Sequence, residues 1–169
     1  MMTMRLFQLR KYVKSCFLLT LPVMAWDFFL ADKLPLTFQS AIFWHDVPLF
    51  LALAEHIFRI LIFAFTLAMP LSFASNRSRI GLVIYLIGIV LYFVSWLALI
   101  FDPLSMWSNS YFGFLAPAYT PVLWLIGISF MGTRFYFKLP YKRWIFLTIS
   151  ILFLLFHNLH TLMVYNRFH

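Results

Sequence analysis

Residues Leu51 to Phe63 read LALAEHIFRILIF, ten apolar side chains of thirteen with Glu55, His56 and Arg59 set among them. A helix that is oily on all sides lies either inside a large protein or inside a bilayer. The rest of the chain decides between the two. Its 169 residues are 64% hydrophobic and 11% charged, with a mean hydropathy of +0.92. A soluble domain is about 25% charged and about half apolar. A chain this short has no interior large enough to hide so much apolar surface, so lipid must be its main solvent. Phe, present 22 times, suits a lipid-facing exterior.

Apolar runs separated by Pro, Asp and basic clusters give five spans, at 12–31, 47–73, 80–101, 119–137 and 141–165. Each approaches or exceeds the ~20 residues that cross ~30 Å of hydrocarbon as a helix. The breaks between them look like helix ends. Asp46 with Pro48 suits the start of the second span, Thr120-Pro121 the start of the fourth, and Pro140 parts the fourth from the fifth. The fold class expected is therefore an all-α integral membrane protein, a bundle of five transmembrane helices forming one membrane-embedded domain over residues 1–169.

Charge sets the orientation. Arg5, Arg10, Lys11 and Lys14 precede the first span, and Arg77 and Arg79 separate the second from the third. Arg134, Lys138, Lys142 and Arg143 surround the last turn. None of these regions holds an acid, whereas Asp32, Asp46 and Asp102 stand at the opposite ends against Lys33 and Arg167. The positive-inside rule then makes the N-terminus cytoplasmic and the C-terminus external, in a bacterial-type cytoplasmic (inner) membrane. The same placement accounts for the net charge of +8. The basic residues face anionic headgroups in loops rather than forming a stripe, so nucleic acid is not an expected partner. Lipid is the expected partner, with other membrane proteins as the alternative. The NRS sequon at Asn76 falls on the inner side and is expected bare.

The first span resembles a signal peptide in its basic start, its apolar CFLLTLPVMA and its small-residue end; we read it as a retained helix. A lone Cys16 excludes an intramolecular disulfide or a CxxC pair. Two connections, DKLPLTFQSAIFWHD and DPLSMWSNSYFGFLAP, mix aromatics with small polar residues, which suits short amphipathic segments lying at the outer headgroups, with Trp44, Trp107 and Tyr111 as anchors.

The polar groups inside the spans are the candidate site. At 1.5 Å per residue, Glu55, His56 and Arg59 lie roughly 12–18 Å below the outer boundary of the second span. His157 and His160, spaced i, i+3 on one face of the fifth, fall roughly 8–12 Å deep by the same rise. Asp27 in the first span and Ser95 in the third reach a similar level, with Asp27 peripheral. Structurally, Glu55 and Arg59 form an i, i+4 ion pair and the histidines hydrogen-bond between helices. Functionally, intramembrane ionisable groups mark sites, because each central charge opposes insertion by ~2.5–3.5 kcal/mol. His56, His157 and His160 are the residues a metal would use, without any tight signature such as HExxH. A haem would need His56 and a histidine of the fifth span on facing helices. A proton path, or a lipid headgroup held by Arg59 with Glu55 or a histidine as base, completes the alternatives. His45-Asp46 has the order of a base and its orienter, though helix capping explains the acid more simply. No complete catalytic constellation can be named. The expected role is thus a binding or accessory membrane protein, and the alternative a small membrane enzyme or carrier handling a metal, haem, proton or lipid headgroup.

Overall fold

A computed structural model describes residues 14–168 of the chain. The first residues of the 12–31 span, and with them Arg5, Arg10 and Lys11, lie outside the described residues. Seven α-helices follow in order: α1 (Leu21–Leu30), α2 (Ser40–Phe43), α3 (Leu49–Ala68), α4 (Asn76–Phe101), α5 (Tyr111–Tyr119), α6 (Pro121–Met131) and α7 (Arg143–Phe168). Short 3₁₀ turns at Cys16–Leu19 and Ala31–Lys33 flank α1. No strand occurs among the described residues, only the isolated bridges Ser15–Pro70 and Leu71–Gly132.

Among the described residues, four helical stretches are long and apolar enough to cross a membrane: α3, α4, α5 with α6 (Tyr111–Met131), and α7. Their lengths of 20, 26, 21 and 26 residues meet the ~20 residues a hydrocarbon core demands. Leu53, Ile57 and Ile60 on α3 and Val83, Leu86, Val90 and Val94 on α4 are exposed, as lipid-facing residues should be.

The helix ends differ from the sequence reading in instructive ways. The second span stops at Ala68 because Met69, preceding Pro70, is pushed to extended backbone (φ −98°, ψ 122°). Its carbonyl there accepts from Cys16 N at 2.8 Å, and Leu71 N donates to the Lys14 carbonyl at 2.8 Å. Asp46 does not cap the following helix. It sits in the left-handed region at φ 52°, and Pro48 occupies the cap position with no side-chain bond. The fourth span starts earlier than Tyr119, because the Ser110 hydroxyl caps α5 by accepting from Gly113 N at 3.1 Å. Pro117 and Pro121 then break the helical ladder, and Thr120 Oγ1 donates to the Ala116 carbonyl at 2.7 Å across the junction. The third span gains a turn at its N-terminal end, where Ser75 caps Ser78 N at 3.1 Å.

Two close helix pairs build the bundle, α4 on α6 and α3 on α7. Glycine makes the first pair possible. A Cβ on Gly88 would lie 2.4 Å from Trp124 N, and one on Gly127 would lie 2.6 Å from Tyr85 N. Gly81 sits seven residues before Gly88 on the same face and meets the Gly127 carbonyl in the same way. Backbones approach this closely only where small residues line the seam. Two tyrosines of α4 then fasten the first segment: Tyr85 Oη donates to the Leu19 carbonyl at 2.8 Å, and Tyr92 Oη to Asp27 Oδ1 at 2.7 Å.

The seam makes a contrast between glycines testable. Gly127→Ala forces a methyl against backbone and is expected to destabilise by roughly 1–3 kcal/mol. Gly132→Ala meets only the flexible Met69 thioether, at 2.6 Å from its sulfur, and should be nearly neutral. Denaturant titration in detergent measures both, and equal losses would remove the glycine seam as the reason for the α4–α6 approach.

Candidate functional site

Antiparallel packing of α3 on α7 brings the second and fifth spans' polar groups together. Glu55 and Arg59 are one helical turn apart on α3, and His157 and His160 are i, i+3 on the facing side of α7. Glu55 is completely buried and accepts three hydrogen bonds. Its Oε1 accepts from the Arg59 guanidinium and lies 3.0 Å from His157 Nδ1, while its Oε2 lies 2.8 Å from His160 Nδ1. A buried carboxylate without such donors would be prohibitively desolvated, so the cluster stands or falls as a unit. Phe153 backs it: its ring stacks on His157 at 5.4 Å and lies under the Arg59 guanidinium at 5.6 Å.

The cluster forms one wall of a cavity of about 550 Å³. Arg59 and His157 face it from α3 and α7, Asp27 from α1, Tyr92 from α4 and Trp124 from α6. Phe43 and Trp44, from the connection between α1 and α3, line it as well. The Trp124 indole N–H is buried and has no hydrogen-bond partner among the described residues. Apolar walls, a few convergent polar groups and this volume describe an ordinary small-ligand site, for which ~300–1,000 Å³ is usual.

His56 stands apart. Its side chain is exposed on the other side of α3, and its Nδ1 lies 2.7 Å from the Ala52 carbonyl of its own helix. Trp44 packs on both His56 and His160, with ring centroids at 4.8 and 4.4 Å, so an indole occupies the ground between the two imidazoles. The Nδ1 atoms of His157 and His160 are both turned to the Glu55 carboxylate. Among the described residues no group of three or more His, Cys, Asp or Glu side chains is arranged to hold a metal ion. His45 Nδ1 and Asp46 Oδ2 meet at 2.9 Å, but on the exposed outer connection. Ser95 is buried and donates to the Tyr92 carbonyl at 2.6 Å, away from any shared group.

Sequence reasoning missed three participants. Tyr92, the partner of Asp27, looked like one more aromatic in an apolar run. Trp124 stands among apolar residues, and no pattern in the sequence marks it. The Phe43 carbonyl, 2.9 Å from His160 Nε2, is a backbone atom, and no side-chain pattern announces it. One signal was available for Tyr92. A hydroxyl at mid-helix depth requires a partner, and Asp27 was the embedded acid at that level.

No family model, no curated protein and no solved structure matches this chain.

The shared carboxylate yields a non-additive mutational pattern. Glu55→Gln leaves the Arg59 guanidinium without its counter-charge and should cost ~3–5 kcal/mol, whereas Glu55→Gln with Arg59→Met removes both charges and should cost distinctly less. Unfolding titrations of the two single variants and the double decide this, and strict additivity would dissolve the cluster into independent contacts.

Proposed function

We propose that the chain is a five-span protein of a bacterial-type cytoplasmic membrane, N-terminus inside and C-terminus outside, that binds a lipid-like amphiphile in the cavity of its outer half. The fifth span is the first segment. From Cys16 to Lys33 the backbone is nearly continuously helical, and 3₁₀ and α turns of that length reach roughly 30 Å. With that span included, the described basic residues Lys14, Arg77, Arg79, Arg134, Lys138, Lys142 and Arg143 share one side, and Asp32, Asp46 and Asp102 the other.

The observation that carries the binding reading is the cavity itself, with Arg59 and Asp27 on different helices and aromatic walls around them. Opposite charges across an otherwise apolar space match a zwitterionic head. A phosphate is suited to the guanidinium and an ammonium to the carboxylate, with acyl chains along the aromatic rings. Trp124 offers a further N–H to the phosphate. Such a ligand enters without adding net charge to a low-dielectric site, which an anionic lipid cannot do.

A second reading has one observation in its favour. Glu55 bonds His157 Nδ1 while the ring lines the cavity. That is the arrangement of a general base and its orienting carboxylate. Binding is preferred because the hydroxyls lining the cavity are engaged: Thr20 Oγ1 donates to the Phe17 carbonyl and Thr161 Oγ1 to the His157 carbonyl. Among the described residues lining the cavity, no free side-chain nucleophile stands opposite the imidazole.

Two experiments bear on these proposals. In a Cys16→Ser background, a membrane-impermeant maleimide added outside should label Met106→Cys, at a 93% exposed position, and leave Ser75→Cys unlabelled until the membrane is permeabilised. Labelling of both from outside would overturn the orientation. Native mass spectrometry of delipidated protein, offered equal phosphatidylethanolamine and phosphatidylglycerol, should show the zwitterionic lipid retained. Asp27→Asn should cut that preference about tenfold or more, as expected for a charge-assisted hydrogen bond. Equal retention of both lipids would sink the zwitterion assignment, and recovery of a chemically altered lipid would favour the enzymatic reading.

A further inference from the structure

His160 is fully buried with both ring nitrogens opposite acceptors: Nδ1 at 2.8 Å from Glu55 Oε2 and Nε2 at 2.9 Å from the Phe43 carbonyl. A carbonyl oxygen can only accept, so Nε2 must carry a hydrogen. A second hydrogen is then required between Nδ1 and Oε2, on the imidazole or on the carboxyl. A neutral imidazole beside an ionised carboxylate has one hydrogen too few for both bonds.

We propose that Glu55 and His160 form a proton-binding site whose one shared proton fastens α2 over the cavity through the Phe43 carbonyl. When the proton is present, His160 bridges α3 and the outer connection at once. When it leaves, the single N–H remaining on His160 can serve one acceptor only. The ionised carboxylate is the stronger acceptor, so the hydrogen moves to Nδ1 and the Phe43 carbonyl is released. Phe43 and Trp44 both line the cavity, so loosening α2 loosens that wall. The site is fastened at low pH and released as pH rises.

Charged and titratable groups face the pair from each neighbouring element. From α3, Arg59 faces it and is balanced by the Glu55 charge. From α7, His157 Nδ1 lies 3.0 Å from Oε1. Across the cavity stand Asp27 of α1 and Tyr92 of α4, bonded to each other. The outer connection contributes no charge to the pair: His45 and Asp46 are exposed and bond each other, and Arg167 holds the neighbouring Ile42 carbonyl at 3.3 Å. His56 lies on the exposed side of α3.

The test uses full-length protein in lipid bilayers, with ¹⁵N-histidine labelling and a spin label at Ala41→Cys in a Cys16→Ser background. At low pH His160 Nε2 should be protonated and the label immobile. As pH rises, Nε2 should lose its hydrogen while Nδ1 keeps one, and the label should become mobile with the same midpoint. Glu55→Gln with Arg59→Met supplies an amide N–H to Nδ1 at every pH, so the label should stay immobile throughout. His160→Phe should leave it mobile throughout. Nε2 protonation that never changes between acid and alkaline pH, or a mobility change that persists in the Gln/Met variant, overturns the proposal. Should His160→Phe fail to fold, those two readouts still decide.

Discussion

A carboxylate with no access to water must find its hydrogen-bond donors within the protein, and Glu55 fixes much of this molecule by that requirement. One oxygen takes Arg59 from the next turn of its own helix and His157 from α7, and the other takes His160. A shift of α7 by one residue against α3 would turn the histidines about 100° away from it. Apolar helix faces in lipid slide against one another at little cost, since the tails are as oily as the partner. The carboxylate supplies the register that packing alone would leave loose. Through His160, whose Nε2 lies 2.9 Å from the Phe43 carbonyl, it also reaches the connection between α1 and α3.

The other half of the bundle is held by shape. Gly81, Gly88 and Gly127 let α4 and α6 meet backbone to backbone. Tyr85 and Tyr92 then tie the first segment to α4 by their hydroxyls. The two pairs use different physics, and the cavity lies where they meet. Pro117 and Pro121 contribute by bending the helix that enters α6, and Asn158 of α7 donates to the Ala118 carbonyl at 3.0 Å at that bend. Such breaks are tolerated in a membrane where a neighbouring helix bonds the freed backbone groups.

The sequence disclosed the setting and the shared depth of Glu55, Arg59, His157 and His160, because hydropathy and helical rise depend on residue type and spacing alone. It could not disclose which way His56 points. That residue neighbours Glu55 in the chain, yet adjacent helical positions differ by about 100° and face different surroundings. Helix ends were legible where a cap or proline acts locally, as at Pro121. They were misjudged where long-range backbone bonds intervene, as at Met69, which pairs with Cys16 across 53 residues of chain. The glycine seam is not legible in the sequence because Gly127 has its partners, Gly81 and Tyr85, on another helix.

Stability alone does not explain this arrangement. Replacing a buried ion pair by apolar side chains is often neutral or stabilising by ~1–4 kcal/mol, so a bundle selected only to hold together has little use for Glu55 and Arg59. Beside them lies a space of about 550 Å³ that no side chain occupies. Both features occur at one place, within reach of Asp27. Coincident violations of good packing and of charge burial are the mark of a site rather than of a scaffold. The glycine seam, by contrast, follows from close backbone packing alone, and it sets the position of Trp124 at the cavity wall. The proposed binding site accordingly lies against the α3–α7 pair, where Arg59 and His157 line a space that Asp27 faces from α1.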